Sequence, residues 1–394
     1  MAGDERQKPE QGASEPEQQY DSDPNLLSQF AASYLQRQNA DDKAATRPFR
    51  SADIHALRRV ERKAIKWAAI AGIISGGIVG GLEVFVFQDL VEDLDWREQI
   101  PYWLVFFAIA GVISGVEILF MYWNTLKAIG YVSVIANISL QENHHGIMSL
   151  RGLARTALEF PNPRSPVYGI DPYALMPRWK FATQNVLYRM KVGVSSFILR
   201  VLLRRMLARA ALRGLIPLLT GPLYAFWNGF ITWRIMRQAR EQALGPLVIE
   251  SLMEELVGQR EQLGDEARQT IIQGVAELMR RSQNAHPNYV SLIARLMEEL
   301  GDSRATIELD WSQRCRRLKS LNDQERRIVI SALTVASVIG GKVGKQKQAL
   351  VKQAHEAAGL IDELSVLTDL RAAFLAGESV TDSEMKNPVI QFAS

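Results

Sequence analysis

Two apolar runs, residues 65–87 (IKWAAIAGIISGGIVGGLEVFVF) and 102–123 (YWLVFFAIAGVISGVEILFMYW), constrain this chain more than any other feature. A helix rises about 1.5 Å per residue, so roughly 20 apolar residues cross a bilayer core, and both runs are long enough. Trp67, Trp103, Tyr122 and Trp123 stand near the run ends, where aromatic side chains favour the membrane–water interface. The reading is a transmembrane helical hairpin.

The flanks orient it. Arg47, Arg50, Arg58, Arg59, Arg62, Lys63 and Lys66 precede or open the first run. The connecting segment holds Asp89, Glu92, Asp93, Asp95 and Glu98 against Arg97 alone, and Lys127, Arg151 and Arg155 follow the second run. Positive charge stays on the cytoplasmic side, so both chain ends are expected there and the acidic loop outside. The polar start (MAGDERQKPEQ) has no apolar h-region, so no cleavable signal peptide is expected.

The two runs carry a shared motif. Gly77-Ile78-Val79-Gly80-Gly81-Leu82-Glu83-Val84 aligns with Gly111-Val112-Ile113-Ser114-Gly115-Val116-Glu117-Ile118. Small residues four apart let helix backbones approach closely, which marks Gly72, Gly76, Gly80, Gly111, Ser114 and Gly115 as packing residues. A carboxylate inside lipid is costly and normally faces protein or water, so Glu83 and Glu117 are candidates for an ion or proton site. By helical rise, Glu83 lies roughly 10 Å toward the outer face and Glu117 roughly 7 Å toward the inner face. Opposite depths rule out a paired-carboxylate dyad. A packing role and a ring of glutamates formed by oligomerisation both remain open.

Around the hairpin, residues 1–23 are polar and acidic and read as disordered. Residues 24–38 form a short amphipathic helix that docks either on a partner or on its own protein, and 39–53 read as linker. Residues 131–180 read as an irregular connector with prolines at 161, 163, 166, 172 and 177. Residues 181–213 are helical and basic, and Arg200, Arg204, Arg205, Arg209 and Arg213 are placed for anionic lipid headgroups. Residues 214–233 carry no charge but contain Pro217 and Pro222, with arginines on both sides. Three readings stay open for them: a re-entrant or interfacial hairpin, which suits the flanks best, a third span, or a buried soluble hairpin. From 241 the apolar spacing is that of soluble helices, and few β-rich runs occur anywhere, so the fold class is all-α.

Little points to chemistry. The single Cys315 excludes an intrachain disulfide and a multi-cysteine metal centre, and the net charge of +3 is no polycation's, so neither a metal nor nucleic acid is expected. His144-His145 reads as a solvated turn, and His286 and His355 as surface residues. Asn228, beside Trp227 in an apolar setting, is placed to cap or bond the hairpin backbone. The segment Gly340-Gly341-Lys342-Val343-Gly344-Lys345 lacks the spacing of a phosphate loop. No nucleophile–base pair and no dinucleotide fingerprint occurs. The expectation is a non-enzyme without a cofactor.

Residues 321–360 (LNDQERRIVISALTVASVIGGKVGKQKQALVKQAHEAAGL) resemble the TerB-like helical domains linked with tellurite resistance. The resemblance rests on the acidic start at Asp323 and Glu325, the small-residue stretch 331–337, the turn at Gly340-Gly341 before Val343, and the end at Gly359-Leu360. Gly340 stands where that family carries an Asp, and Lys342, Lys345 and Lys347 make the turn basic, so no metal role is carried over. Residues 215–240, running into WRIMRQAR, are similar to the EcsC-type bacterial membrane-associated proteins. The resemblances imply an interaction module at 321–375, before a flexible tail at 376–394, in a membrane-stress or defence context. Together the readings give a bacterial inner-membrane scaffold that binds anionic lipid, forms homo-oligomers and recruits a cytoplasmic protein. The alternative is an oligomeric ion or proton channel subunit using the two glutamates.

Overall fold

The computed structural model describes residues 26–41, 51–91, 93–136, 144–160, 162, 166–177, 179, 216–301, 307, 309–360 and 364–378. Among them the fold is all-α, with no strand and one isolated bridge between Val167 and Ile170. In chain order, α1 (Leu26–Asp41) precedes α2 (Ser51–Leu82), which ends in a π-helical turn at Glu83–Phe87 and the short α3 (Gln88–Val91). Next come α4 (Trp96–Ile135), α5 (His144–Ala157) and the long α6 (Ile216–Gly258). The remainder is α7 (Asp265–Ser282), α8 (Pro287–Glu299), α9 (Trp311–Arg317), α10 (Asp323–Ile339), α11 (Lys345–Ala358) and α12 (Leu364–Ala376).

Two helices, Ala52–Phe87 and Trp96–Ile135, are long and apolar enough to cross a membrane. Neither behaves as a core helix, since only 33% and 11% of their apolar windows are buried within the protein. Large side chains such as Ile74, Leu104, Val112 and Leu119 point outward instead. Asp95 caps α4 by accepting from the Trp96 N–H, and Gln99 Nε2 donates back to the carbonyls of Val91 and Leu94, which closes the tight link after α3. α4 runs well past the apolar run, and its last turns bury Leu126, Ile129 and Val132.

Of the three readings of 214–233, neither hairpin reading holds among the described residues 216–233. From Ile216 the chain is one 43-residue helix with Pro222 and Pro246 inside it. The apolar stretch and the first soluble helix fuse, because α6 lies antiparallel along α2 and this packing outweighs the proline penalty. A Cβ at Gly72 would lie 2.5 Å from the Tyr224 backbone, and one at Gly76 would lie 3.0 Å from the Thr220 carbonyl. Near Pro246, where a helix loses a backbone donor, Asn288 Nδ2 donates to the Glu241 carbonyl at 3.0 Å.

Below the apolar layer one continuous core joins Leu35 of α1, Ile129 of α4, Leu153 of α5 and Met236 and Leu252 of α6 to the buried faces of α7, α8 and α10. A separate small cluster of Val79, Phe87, Phe106 and Ala110 holds the far end of the hairpin. The expected connector is shorter than its sequence suggests, since α4 reaches Ile135 and α5 begins at His144. Its described stretch 166–177 is irregular and partly packed. Tyr168 (φ 51°) and Gly169 (φ 80°) make a tight turn that buries Val167 and Ile170, and Ile307 N–H donates to the Tyr168 carbonyl. α10 opens with a reciprocal capping box between Asn322 and Glu325, a stronger start than the acidic residues alone.

Candidate functional site

α6 carries polar residues at four-residue spacing through its apolar half: Thr220, Tyr224, Asn228 and Thr232. That spacing places them on one face, the face turned to α2 and α4. Thr220 Oγ1 donates to the Gly76 carbonyl at 3.2 Å. Asn228 Nδ2 donates to Glu117 Oε1 at 2.6 Å, and both side chains are buried. Asn124 Nδ2 of α4 reaches the Ala64 carbonyl at 2.9 Å. Thr232 Oγ1 and Trp227 Nε1 are buried without a protein hydrogen-bond partner. Lower down, Arg240 meets Glu61 at 3.0 Å as an ion pair without hydrogen-bond geometry.

The structure thus finds Glu117 a specific partner that sequence reasoning missed. Asn228 bonds a carboxylate on another helix, not a hairpin backbone. Glu83 opens the π-helical turn, level with the Phe87–Phe106 contact. From the level of Phe106 to Glu117 is eleven residues of α4, or about 16 Å, so the two glutamates do not meet. The expected packing glycines divide. Gly72 and Gly76 face α6, and Gly80 is buried, but a Cβ on Gly111 or Gly115 would meet nothing within 4 Å. Ser114 Oγ turns back to its own helix, donating to the Ala110 carbonyl. The expected lipid-binding arginines, Arg200, Arg204, Arg205, Arg209 and Arg213, lie outside the described residues.

Further along α6 a second polar centre sits in the core. Glu241 pairs with Arg371 of α12, whose other guanidinium nitrogen donates to the Val338 carbonyl. Lys347 is 2% exposed, donates to the Gly340 carbonyl at 2.7 Å and lies over the Tyr289 ring. Burial raises the Glu241 carboxyl despite Arg371 beside it, and burial followed by Arg371 lowers Lys347 to about 7. The Lys347 side-chain nitrogen thus bonds the Gly340-Gly341 turn, and among the described residues no cluster of His, Cys, Asp or Glu could hold a metal.

No protein-family model, curated protein or solved structure matches this chain. Its reading therefore rests on these two centres and the helix that joins them.

His286, expected at the surface, is 2% exposed. Its Nδ1 accepts from Asn288 N–H and caps α8, so the turn chemistry of His-Pro draws it inward. Burial, with Lys347 and Arg371 nearby, depresses it to about 3. The unfolded chain takes up a proton below about 6.5 that the folded state refuses, so stability falls as pH drops from 6.5 toward 3. Each unit in that window costs up to about 1.4 kcal/mol. His286→Asn keeps a capping oxygen and is expected to flatten this acid limb in pH-resolved thermal melts, while leaving stability near pH 8 little changed.

Proposed function

We propose that the chain is a membrane-anchored interaction protein of bacterial type, held in the inner membrane and presenting its helical body to cytoplasmic protein partners. The observation that carries this reading is α6, a single helix packed between α2 and α4 at one end and built into the core of the body at the other. Such a helix fixes the body rigidly below an anchor. The basic flanks of the apolar runs favour a cytoplasmic body and cytoplasmic chain ends. The resemblance of 321–360 to TerB-like modules favours recruitment in a stress or defence setting. Self-association is supported by Gly111 and Gly115 of α4, each of which leaves room for a close neighbour.

The channel reading has less behind it. Glu117 is engaged with Asn228, and Glu83 is about 16 Å away along the axis. The discriminating experiment is reconstitution in proteoliposomes with ion-flux and proton-flux readouts, beside crosslinking in native membranes from exposed positions on the body. The expected result is no flux above protein-free vesicles and specific protein adducts from the body. Flux that disappears in Glu117→Gln overturns the scaffold reading in favour of the channel.

In either role the Glu117–Asn228 bond should act as a helix staple. Hydrogen bonds between membrane helices contribute about 0.6 to 2 kcal/mol. A double-mutant cycle of Glu117→Leu and Asn228→Leu, read by unfolding in mixed micelles, is expected to return a coupling in that range. A coupling near zero would show that the contact contributes nothing.

A further inference from the structure

We infer that α1 is a lipid-binding element whose first two turns lie in the membrane interface beside α4. The inference rests on the proposal that the apolar layer is embedded in a bilayer. α1 is fastened to the body by Ala31 and Leu35, both fully buried, and by Tyr34, whose ring lies 5.4 Å from that of Trp123. Gln38 lies against Gly130, its Oε1 1.8 Å from where a Cβ would stand. These contacts fix direction. Going from Tyr34 to Gln38 along α1 corresponds to going from Trp123 to Gly130 along α4, so the start of α1 points toward Leu119 and Phe120.

The outer face of α1 changes character along that direction. Leu26, Phe30, Ser33 and Arg37 share this face by helical spacing, and all four are exposed. Arg37 and Ser33 lie on the side of Gly130. Phe30, about 6 Å beyond Tyr34, and Leu26, about 12 Å beyond it, are 60% and 80% exposed. The same polar-to-apolar change occurs on the neighbouring helices: from Lys127 past the exposed Trp123 to Leu119 on α4, and from Arg237 past the exposed Trp233 to Phe230 on α6. Exposed Trp67 marks it on α2. Four helices therefore share one boundary, and the apolar end of α1 is on the lipid side of it.

The occupant this surface fits is the bilayer rather than a protein groove. The exposed apolar residues Leu26, Leu27 and Phe30 lie at the level of the exposed apolar surface of α4, with the polar Ser33 and Arg37 on the side of Gly130. Residues 1–25 add a depth limit. They hold seven Asp or Glu against Arg6 and Lys8, a balance that anionic headgroups repel. The helix is thereby held at the surface and kept from threading through.

The test uses the full chain with Cys315→Ser, carrying single cysteines at Leu26, Phe30, Arg37 or Leu119 labelled with an environment-sensitive fluorophore. The protein is reconstituted in phosphatidylcholine–phosphatidylglycerol vesicles, with nitroxide lipids as quenchers and iodide as the aqueous quencher. Labels at Leu26 and Phe30 are expected to be blue-shifted and quenched by shallow nitroxide lipid at least twofold more than the label at Arg37. Lipid quenching at Leu119 but not at Leu26 or Phe30 overturns the inference and leaves the membrane anchor standing. Protection of Leu26 and Phe30 from both quenchers assigns the surface to a protein, such as a second copy, and also overturns it. No lipid quenching at Leu119 removes the anchor itself, and the inference with it.

Discussion

Gly72→Ala is expected to loosen or break the α2–α6 packing, although it adds one methyl group. That methyl would lie 2.5 Å from both the carbonyl carbon and oxygen of Tyr224 and 2.7 Å from the nitrogen of Ala225. These are backbone atoms in mid-helix, so no side chain can swing aside and one helix must move. Overpacking of a tight site costs about 1 to 3 kcal/mol, and more where the obstacle is rigid. Here separating the helices also pulls Thr220 away from the Gly76 carbonyl and strains the Asn228–Glu117 bond. Thermal unfolding in detergent micelles is expected to show a drop of several degrees for Gly72→Ala and a larger one for Gly72→Leu. Gly77→Ala is the control. Nothing lies within 4 Å of its Cβ, so its midpoint should be unchanged or slightly raised by the better helix propensity of alanine. Equal losses in the two variants would mean that the antiparallel α2–α6 contact is wrong.

The second large effect is expected at Arg371. Its guanidinium is the partner of the buried Glu241 and also satisfies the Val338 carbonyl. Arg371→Met leaves a carboxylate in the core with only Lys347 and more distant arginines to oppose its burial. Removing one member of a buried pair costs about 3 to 5 kcal/mol. The loss should be local first, because Arg371 is also the tie between α12 and the end of α10. Hydrogen exchange is expected to accelerate across α12 at temperatures where α7 and α8 remain protected. The double variant Arg371→Met with Glu241→Leu should recover much of the loss, since no charge is then stranded. If the double variant is no better than the single one, the buried carboxylate is not the cause.

How much of this could be read from the sequence depends on the range of the interaction involved. The hairpin was legible because its cause is local: about 20 apolar residues need an apolar surrounding wherever the chain folds. The all-α class was legible for the same reason, through apolar spacing. The fate of 214–233 was not. Pro222 and flanking arginines argue locally for a bent or re-entrant segment, and only the distant glycines of α2 make an unbroken helix the better solution. Gly72 and Gly111 sit in similar local sequence, yet one is pressed against a neighbour and the other is open, because α6 covers one helix face and not the other. Asn228 as the partner of Glu117 had a local signal, the four-residue spacing of Thr220, Tyr224, Asn228 and Thr232. The Glu241–Arg371–Lys347 centre had none, since Glu241 of α6 is far in the chain from Lys347 and Arg371 of α11 and α12.

The unbroken run of α6 has a mechanical consequence. At about 1.5 Å per residue, its 43 residues make a rod of about 64 Å, twice the thickness of a bilayer core. Roughly 25 of those residues extend beyond Trp233, a lever arm of about 37 Å. The two candidate spans, α2 and α4, pack against its first turns, and spanning helices answer a change in membrane thickness by tilting. A tilt of about 10° about the level of Trp233 would sweep the far end of the rod through about 6 Å, carrying with it the helices packed there. A small tilt at the apolar end thus becomes a displacement of a full helical turn at the far end of the body.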